Sequence, residues 1–350
     1  SLADNPVTKD SPLDRLSLCL AACVLMMSSA AQAAKLRVGY PTAAPVAPIF
    51  IAQEKGYYAA EGLDVELVPF DAAGPIPVAI TSGSVDIALA GSTASFFSLA
   101  SQGAVKIIAG AVHEVPGFHA EAIVATNKGY AAGVTSLKDL GGHSLATTTI
   151  GSSLYYALGL VAEKYKIDMK SLRIVQTQVN ANTVSAVAGD QVDFAVGTFT
   201  GFTPLIHEGK AKLLAYVGDE VPWQIAYLLT SAKIADTQPE MVEHWLTAYR
   251  HAAKDYHDAF TNAAGAREDQ PTAPAILAIM EKYLKQSAAR LDANIGYVDP
   301  DGRLDVPDVH HQAAWFAAQG LVKGTPDTDK IIAARYIRPW TGVHGTGSSR

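Results

Sequence analysis

The sequence predicts an α/β protein built from two lobes, each containing a mainly parallel β-sheet. Strand signals alternate with helix signals from residue 36 to about residue 217, which is typical of βαβ units. The chain also repeats itself, because Val-Asp-Ile-Ala-Leu-Ala-Gly at 85–91 is echoed by Val-Asp-Phe-Ala-Val-Gly at 192–197. Its 350 residues, 49% of them hydrophobic, suffice for two cores. Two similar βα elements within a single sheet would also explain the echo.

The first predicted element is an export signal. An apolar run over residues 16–27 follows Lys9 and Arg15 and is too short to span a bilayer as a mature helix. Ala-Gln-Ala at 31–33 is a small-x-small pattern, which predicts cleavage after Ala33. Residues 1–33 are therefore expected to be a signal peptide with an upstream extension, and the mature protein is expected in the periplasm.

The two cysteines of the chain both lie in this segment. Leu-Ala-Ala-Cys at 20–23 also matches a lipoprotein box, in which case Cys23 carries a lipid anchor instead. Cleavage after Ala33 would remove Cys19 and Cys23 together, so the mature protein is expected to contain no thiol, disulfide or cysteine-based metal site.

A strand–helix–strand unit follows. Leu-Arg-Val-Gly-Tyr at 36–40 is a strand signal, and the next helix is expected to end at Gly56, since glycine adopts the left-handed conformation without steric cost. Leu-Asp-Val-Glu-Leu at 63–67 alternates apolar and polar residues, as a half-buried strand does. This unit resembles the first βαβ unit of the periplasmic solute-binding proteins that serve ABC importers. The nearest branch takes up sulfonates, taurine, nitrate, aromatic acids and thiamine precursors.

A second stretch carries the same resemblance. Ser-Leu-Lys-Asp-Leu-Gly-Gly-His-Ser-Leu-Ala-Thr at 136–147 is similar to the opening of the family's second lobe, with His143 in place of the usual basic residue. The resemblance implies a two-lobed Venus-flytrap fold with two crossover strands, which we place at 121–126 and 226–231. Lobe I is then expected at 34–122 and 229–340, lobe II at 123–228, and a flexible tail at 341–350. Helical periodicity predicts helices at 241–264, 275–291 and 309–321.

The turns after the predicted strands are the expected ligand site, because ligands of open α/β sheets bind beyond the carboxyl ends of the strands. Hydroxyl residues in these turns either cap the next helix or contact a ligand, and helix N-termini attract anions. None of the turns contains Arg or Lys, so helix ends and hydroxyls would have to hold an anion. The candidate ligand-binding residues are Tyr40, Ser92, Thr93, His113, Ser152, Ser153, Tyr155, Phe199, Thr200 and Trp223.

Aromatic residues at predicted strand ends add a second signal. Tyr40, Phe118, Tyr155, Phe199 and Trp223 either pack into the core or converge to hold a flat ligand. His113 and Glu114 either hydrogen-bond a polar group of the ligand or face water. The third turn reads Phe-Thr-Gly-Phe-Thr-Pro at 199–204, whereas alkanesulfonate binders usually have a Trp-Asp-Pro-like turn there. This difference favours an aromatic or heteroaromatic carboxylate over a simple sulfonate.

Other function classes have weak support. A net charge of −7 disfavours a nucleic-acid partner. The sequence has no Gly-x-Ser-x-Gly elbow or Walker A motif, and His244, His251 and His257 lack the i, i+4 spacing of a helical zinc site. The resemblance therefore implies a monomeric binding protein, not an enzyme and without cofactor or metal, that captures a small organic anion for an ABC permease. The fold also hosts a pyrimidine-precursor synthase and dehydratases, so such an enzyme is an alternative, as is a sensor component without its own permease.

Overall fold

The structure, a computed structural model, describes residues 35–324 and 326–342. The predicted signal peptide with Cys19 and Cys23, the cleavage site after Ala33, and residues 343–350 of the predicted tail lie outside the described residues. The described residues from Leu36 to Gly342 form a single unit containing two five-stranded sheets and one small three-stranded sheet.

The first five-stranded sheet has the order β2-β1-β3-β12-β4. Strand β1 pairs in parallel with β2 and β3, and β12 lies antiparallel between β3 and β4. Four of its five strands therefore run in one direction. The strands are β1 (Leu36–Pro41), β2 (Val65–Phe70), β3 (Ile87–Gly91), β4 (Val105–Gly110) and β12 (Ala226–Ser231).

The second sheet has the order β10-β6-β9-β7-β8 and repeats the arrangement of the first. Strand β7 pairs in parallel with β8 and β9, and β6 lies antiparallel between β9 and β10. Its strands are β6 (Glu121–Thr126), β7 (Ser144–Thr147), β8 (Arg173–Gln176), β9 (Phe194–Thr198) and β10 (Ala211–Tyr216). The prediction of two α/β lobes with mainly parallel sheets is confirmed, and the alternative of a single sheet is wrong.

The echoed segments occupy equivalent central positions, and their shared aspartate explains the repeat. The Asp86 carboxylate accepts a hydrogen bond from the backbone N–H of Arg37 at 2.8 Å, and the Asp86 N–H donates to the Arg37 carbonyl at 2.9 Å. In the second sheet the Asp193 carboxylate accepts from the N–H of Ser144 at 2.8 Å, and the Asp193 N–H donates to the Ser144 carbonyl at 3.0 Å. Each aspartate lies immediately before a central strand, β3 or β9, and hydrogen-bonds the start of the parallel strand beside it, β1 or β7.

The chain passes between the two sheets twice, and the two passages lie side by side. It leaves the first sheet through β5 (Val112–Glu114) and enters the second at β6. It returns from β10 through β11 (Trp223–Gln224) into β12. Strand β5 pairs antiparallel with both β11 and β13 (Tyr297–Val298), which form the small sheet. The antiparallel strand of each sheet is thus the strand that arrives from the other sheet.

Helices cover both sheets. Gly56 separates α1 (Pro48–Glu54) from α2 (Tyr57–Ala60) and has the predicted left-handed conformation, with φ of +71°. The following helices are α3 (Ile76–Thr81), α4 (Ala94–Ser101), α5 (Asn127–Ala131), α6 (Ser153–Tyr165), α7 (Asn180–Ala188), α8 (Phe199–His207), α9 (Val217–Glu220) and α10 (Ala232–Thr237).

The C-terminal part is helical as predicted, with differences at the helix boundaries. Helix α11 (Pro239–Phe260) ends four residues before the predicted end, where Thr261 forms an isolated β-bridge with Arg267. The predicted helix at 275–291 is two helices, α12 (Ala273–Leu284) and α13 (Ala288–Asp292), because Lys285 adopts a left-handed conformation with φ of +55°. The helix predicted at 309–321 is α14 (Val306–Ala318), which begins and ends three residues earlier, and a further short helix, α15 (Thr328–Ile331), follows it.

Helix α14 contributes to the cores of both lobes. Its residues Val309, Ala313 and Phe316 belong to one buried apolar cluster that contains Phe97 of α4 and Val161 of α6. Helix α11 instead packs on α1 within a second cluster that is confined to the first lobe. Helix α14 therefore packs against helices of both lobes, α4 and α6.

Candidate ligand-binding site

Two of the predicted ligand turns meet directly between the sheets. The turn after β3 leads into α4, and the backbone N–H of Ala94 donates to the carbonyl of Gly151 in the turn after β7 at 2.9 Å. Gly151 has φ of +88°, and a Cβ on it would lie 3.1 Å from the Cβ of Ala94. A Cβ on Gly91 would lie 4.0 Å from the Ser153 hydroxyl. The N-terminal ends of α4 and α6 thus face the same space.

Four of the five predicted serine and threonine residues lie in these two turns, and they have different roles. Thr93 caps α4 by accepting from the Phe96 N–H at 3.1 Å, and Ser152 caps α6 by accepting from the Tyr155 N–H at 3.2 Å. Ser92 is fully buried, and its hydroxyl donates to the Gln312 side chain. Ser153 begins α6, is partly exposed and forms no side-chain hydrogen bond within the described residues.

Four of the five predicted aromatic residues are buried in ring contacts, and only Tyr155 and Trp223 share neighbours, because Trp315 packs on both Tyr155 and Tyr156. Tyr40 packs edge-on against Phe50, Tyr155 against Trp315, and Phe118 against Tyr297, with ring centroids 4.9, 5.3 and 5.3 Å apart. Trp223 packs on Tyr156 at 5.2 Å. These contacts place the four rings around the two cores, so the structure does not bring all five aromatic residues together.

Phe199, the fifth, belongs to an aromatic group at the carboxyl-terminal edge of the second sheet. It begins α8 beside the partly exposed Thr200 and packs against Tyr216, at the end of β10, with centroids 4.9 Å apart. His119 stacks on the Tyr216 ring at 3.5 Å and lies 3.3 Å from the Asp219 carboxylate. The sequence reasoning missed His119 and Tyr216, although both lie next to predicted strand ends.

A buried polar bridge through α14 links the two turns, and nothing in the local sequence pointed to it. Ser92 Oγ and the hydroxyl of Tyr227 both donate to Gln312 Oε1, the second at 2.5 Å. Gln312 Nε2 donates to the Asp308 carboxylate at 2.6 Å. Asp308 in turn accepts from the hydroxyl of Tyr156, on α6, at 3.0 Å. We call Ser92, Gln312, Asp308 and Tyr156 the α14 bridge.

The carboxyl group at the centre of this bridge has a perturbed acidity. Burial raises the pKa of Asp308 to about 6, although hydrogen bonds from the Gln224 N–H, Gln312 and Tyr156 oppose the shift. The Tyr156 hydroxyl also lies 2.6 Å from His311 Nδ1, and His311 Nε2 lies 3.2 Å from Glu163. The bridge therefore ends in titratable groups on the surface of α6 and α14.

His113 and Glu114 do not face water, so that alternative is wrong. His113 is 2% exposed and stacks on Trp340 with centroids 4.0 Å apart, and burial lowers the pKa of His113 to about 3. Glu114 is fully buried and accepts from the backbone N–H of Glu121 at 2.7 Å. Both residues lie on β5, where the chain leaves the first sheet.

Across residues 35–324 and 326–342, no group of three or more His, Cys, Asp or Glu side chains is placed to hold a metal ion. In the same part of the chain, no helix is long and apolar enough to cross a membrane.

Comparison with known proteins identifies the family. Residues 44–262, more than half of the chain, match the family described as NMT1/THI5 like. The chain belongs to the NMT1/THI5-like family. No curated protein sequence shows significant similarity to it.

Solved structures show the same fold. The alkanesulfonate-binding protein SsuA from Xanthomonas axonopodis pv. citri, bound to MOPS, has a TM-score of 0.65 at 20% identity, covering 88% of this chain and 99% of that one. The periplasmic aliphatic sulphonate binding protein SsuA from Escherichia coli has a TM-score of 0.67 at 17% identity, covering 90% and 95%. The periplasmic nitrate-binding protein NrtA from Synechocystis PCC 6803 has a TM-score of 0.63 at 15% identity, covering 86% of each chain.

An enzyme shares the fold as well. The desulfurization enzyme DSZB has a TM-score of 0.58 at 13% identity, covering 87% of this chain and 96% of that one. At such identities the similarities establish the periplasmic-binding-protein fold, which the sequence predicted, and no ligand or reaction.

Proposed function

We propose that this NMT1/THI5-like protein is the substrate-capturing component of an ABC importer and binds a small organic anion between its two sheets. The observation that carries the proposal is the meeting of the turns after β3 and β7, joined by the bond from the Ala94 N–H to the Gly151 carbonyl. Helices α4 and α6 begin at these turns, and the N-terminus of a helix attracts negative charge through its dipole and free N–H groups. An anion that separates the two turns would find donors on both sides.

The energetics of such a site are sufficient without Arg or Lys. Each helix terminus contributes about 0.3–2 kcal/mol, and each hydrogen bond to a charged group about 1.5–3 kcal/mol. Two termini and a few hydroxyls can reach the ~8 kcal/mol that micromolar binding requires. A singly charged carboxylate, sulfonate or nitrate suits this donor set better than a dianion does.

The proposal includes a hinge motion of the two lobes. Residues 34–122 with 229–340, and residues 123–228, would act as two lobes. The crossover strands were predicted at 121–126 and 226–231, but β6 (Glu121–Thr126) is a strand of the second sheet and β12 (Ala226–Ser231) a strand of the first. The hinge would therefore lie just before them, in the passages 115–120 and 217–225. Tyr40, Ser92, Thr93, His113, Ser152, Ser153, Tyr155, Phe199, Thr200 and Trp223 would line or support the cleft. The mature protein, released into the periplasm by cleavage after Ala33 or anchored at Cys23, would act as a monomer that delivers its ligand to an ABC permease.

Titration calorimetry with nitrate, methanesulfonate, butanesulfonate, MOPS, benzoate and nicotinate tests the proposal. The neighbours named for sulfonate and nitrate support the first four probes, and the Phe-Thr-Gly-Phe-Thr-Pro turn supports the aromatic acids. At least one probe is expected to bind with one-to-one stoichiometry. If none binds the folded protein, an anion-capturing role is excluded.

A variant pair locates the site. Ser152→Ala/Ser153→Ala is expected to weaken binding by about 1–3 kcal/mol per lost contact, roughly 5- to 150-fold. The matched control is Ser231→Ala, which removes an equivalent cap, the hydroxyl that accepts from the Ile234 N–H at 3.1 Å at the far end of β12. Ser152→Ala/Ser153→Ala and Ser231→Ala each remove one helix cap, so they should lower the free energy of unfolding by similar amounts. Wild-type affinity in the double variant would place the anion elsewhere.

The enzyme alternative rests on DSZB, which has the same fold. The calorimetry samples also distinguish it, because a binding protein returns each probe chemically unchanged after prolonged incubation. Turnover of a probe, detected by mass spectrometry, would favour the enzyme.

A further inference from the structure

Two buried glutamates flank the passage from the first sheet to the second. Glu114 is the last residue of β5 and pairs with Trp223 of β11. Glu121 is the first residue of β6 and pairs with Thr198, the last residue of β9. Trp223 is a candidate ligand residue, and Thr198 immediately precedes the candidates Phe199 and Thr200. The two glutamates thus lie beside two segments that contain predicted ligand residues.

The carboxyl groups are buried and lack a cationic partner. Glu114 and Glu121 are 0% and 5% exposed. One oxygen of Glu114 accepts from the Glu121 N–H at 2.7 Å, whereas Oε2 of each glutamate is buried without a hydrogen-bond partner. Neither group forms an ion pair with a described Lys, Arg or His. Two orphaned buried oxygens at one place are unusual, because buried polar atoms are normally hydrogen-bonded.

A buried carboxyl group without a cation retains its proton, since the cost of burying an isolated charge is far larger than that of burying the neutral acid. Burial raises the pKa of Glu121 to about 8. Burial raises the pKa of Glu114 well above its usual range, and the charge of Glu121 raises it further. At neutral pH the pair is therefore a pair of O–H donors.

The alternation of side chains along β6 decides which face of the strand carries Glu121. Side chains alternate along a strand, so Glu121 lies on the same face as Ile123 and Ala125. That face packs in one cluster with Tyr155 and Trp223, both candidate ligand residues. Trp223 Nε1 is a further buried donor without a partner. Three buried polar atoms without a partner, Oε2 of each glutamate and Trp223 Nε1, therefore occur on the passage between the sheets. Of these three residues, Trp223 packs on Tyr156 of α6.

The titratable groups around Glu114 and Glu121 do not favour ionisation of the two carboxyl groups. Asp219, in α9, raises the pKa of Glu114 by its charge. His119 pairs with Asp219 at 3.3 Å and stacks on Tyr216, on the strand next to β6. His113 precedes Glu114 on β5, and burial lowers the pKa of His113 to about 3, so it is neutral.

We propose that Glu114 and Glu121 are ligand-binding residues of the interlobe cleft, and that as neutral acids they donate hydrogen bonds to an oxygen of a monoanionic carboxylate, sulfonate or nitrate. This inference rests on the proposed function. It explains how a cleft whose turns contain no Arg or Lys selects an anion. It also implies that binding is linked to proton retention, because an ionised glutamate repels the ligand and has no proton to donate.

Calorimetry with nitrate and methanesulfonate as probes tests the pair, because neither probe titrates between about pH 6 and pH 9. Wild-type affinity should fall about tenfold between about pH 7 and pH 9, since one linked proton changes affinity tenfold per pH unit above its pKa. Glu121→Gln retains a donor that does not titrate, so its affinity should stay within about threefold of wild type at pH 7 and show no fall towards pH 9. Glu121→Leu, which lacks the donor, should bind at least about fivefold more weakly at pH 7.

Two controls keep the outcomes distinct. Glu208→Gln, an exposed glutamate directly after α8, should retain the wild-type pH profile. In the ligand-free protein at neutral pH, the infrared carbonyl stretch of a protonated carboxylic acid should be present in wild type and lost in Glu114→Gln/Glu121→Gln. A wild-type pH profile in Glu121→Gln, or affinity that rises with pH, would overturn the inference while leaving anion binding intact. No binding of any probe by wild type would refute the proposed function and this role together.

Discussion

The substitution Gln312→Leu removes the centre of the α14 bridge while nearly conserving side-chain volume. Gln312 is fully buried, accepts hydrogen bonds from Ser92 and Tyr227, and donates to Asp308 and to the Gln224 carbonyl. Leucine cannot accept or donate, so the four hydrogen bonds of the Gln312 side chain are lost in one step.

The magnitude follows from what each partner retains. Asp308 still accepts hydrogen bonds from Tyr156 and from the Gln224 N–H. Losing the bond from Gln312 therefore costs only the net value of one hydrogen bond, about 0.5–1.5 kcal/mol. The hydroxyls of Ser92 and Tyr227 lose their acceptor inside the core, and a buried unsatisfied group costs about 1–3 kcal/mol. Because these two hydroxyls can turn towards each other, we expect a total loss of about 2–5 kcal/mol in the free energy of unfolding.

Urea unfolding of the full chain, followed by far-ultraviolet circular dichroism, measures this loss. The matched control is Gln319→Leu, at the C-terminal end of the same helix, where the side chain is exposed; a change within about 0.5 kcal/mol is expected there. If Gln312→Leu changes the free energy of unfolding by less than about 1 kcal/mol, the bridge does not hold α14 to the two turns.

Two further predictions concern α14 and its neighbours. A Cβ on Gly159 of α6 would lie 2.1 Å from Trp315, so Gly159→Ala should lower the free energy of unfolding by about 1–3 kcal/mol. In a Trp315→Leu background the same change should cost nothing or stabilise α6, and an equal cost in both backgrounds, measured by urea unfolding, would exclude the clash. Since burial raises the pKa of Asp308 to about 6, folding favours its protonated form. The stability that it contributes is present below its unfolded pKa near 4 and is lost as the pH rises through about 6. Thermal unfolding of wild type and Asp308→Asn between about pH 4 and pH 7 should therefore show a steeper decline in wild type, and parallel curves would contradict the assignment.

The elements that depend on local sequence were predictable. Gly56, the alternation at 63–67 and the Val-Asp echo each report on a few neighbouring residues, and the structure has a turn, a strand and two equivalent central strands there. The caps at Thr93 and Ser152 belong to the same class. The helix boundary at Lys285 was missed because a non-glycine residue in the left-handed conformation leaves no signal in the periodicity.

The features that depend on tertiary contacts were not predictable. Ser92 appears in the sequence as one more turn serine, and its bond to Gln312 joins residues 220 positions apart. Tyr155 lies in the first turn of α6 and Trp223 begins β11, but helix α14 and Tyr156 supply their packing partners. Glu114 and Glu121 have no sequence feature that marks a buried acid, since burial arises only when β5 and β6 fold against β11 and β9.

A cross-link between the two turns tests the central claim, that ligand is captured between the lobes. In a chain carrying Cys19→Ser and Cys23→Ser, the pair Gly91→Cys/Ser153→Cys is placed to form a disulfide, because a Cβ on Gly91 would lie 4.0 Å from the Ser153 hydroxyl. The measurement is calorimetric binding of the tightest probe from the anion panel before and after reduction. The account predicts no uptake by the oxidised protein and recovery of binding on reduction. Equal binding by the oxidised and reduced proteins would contradict it.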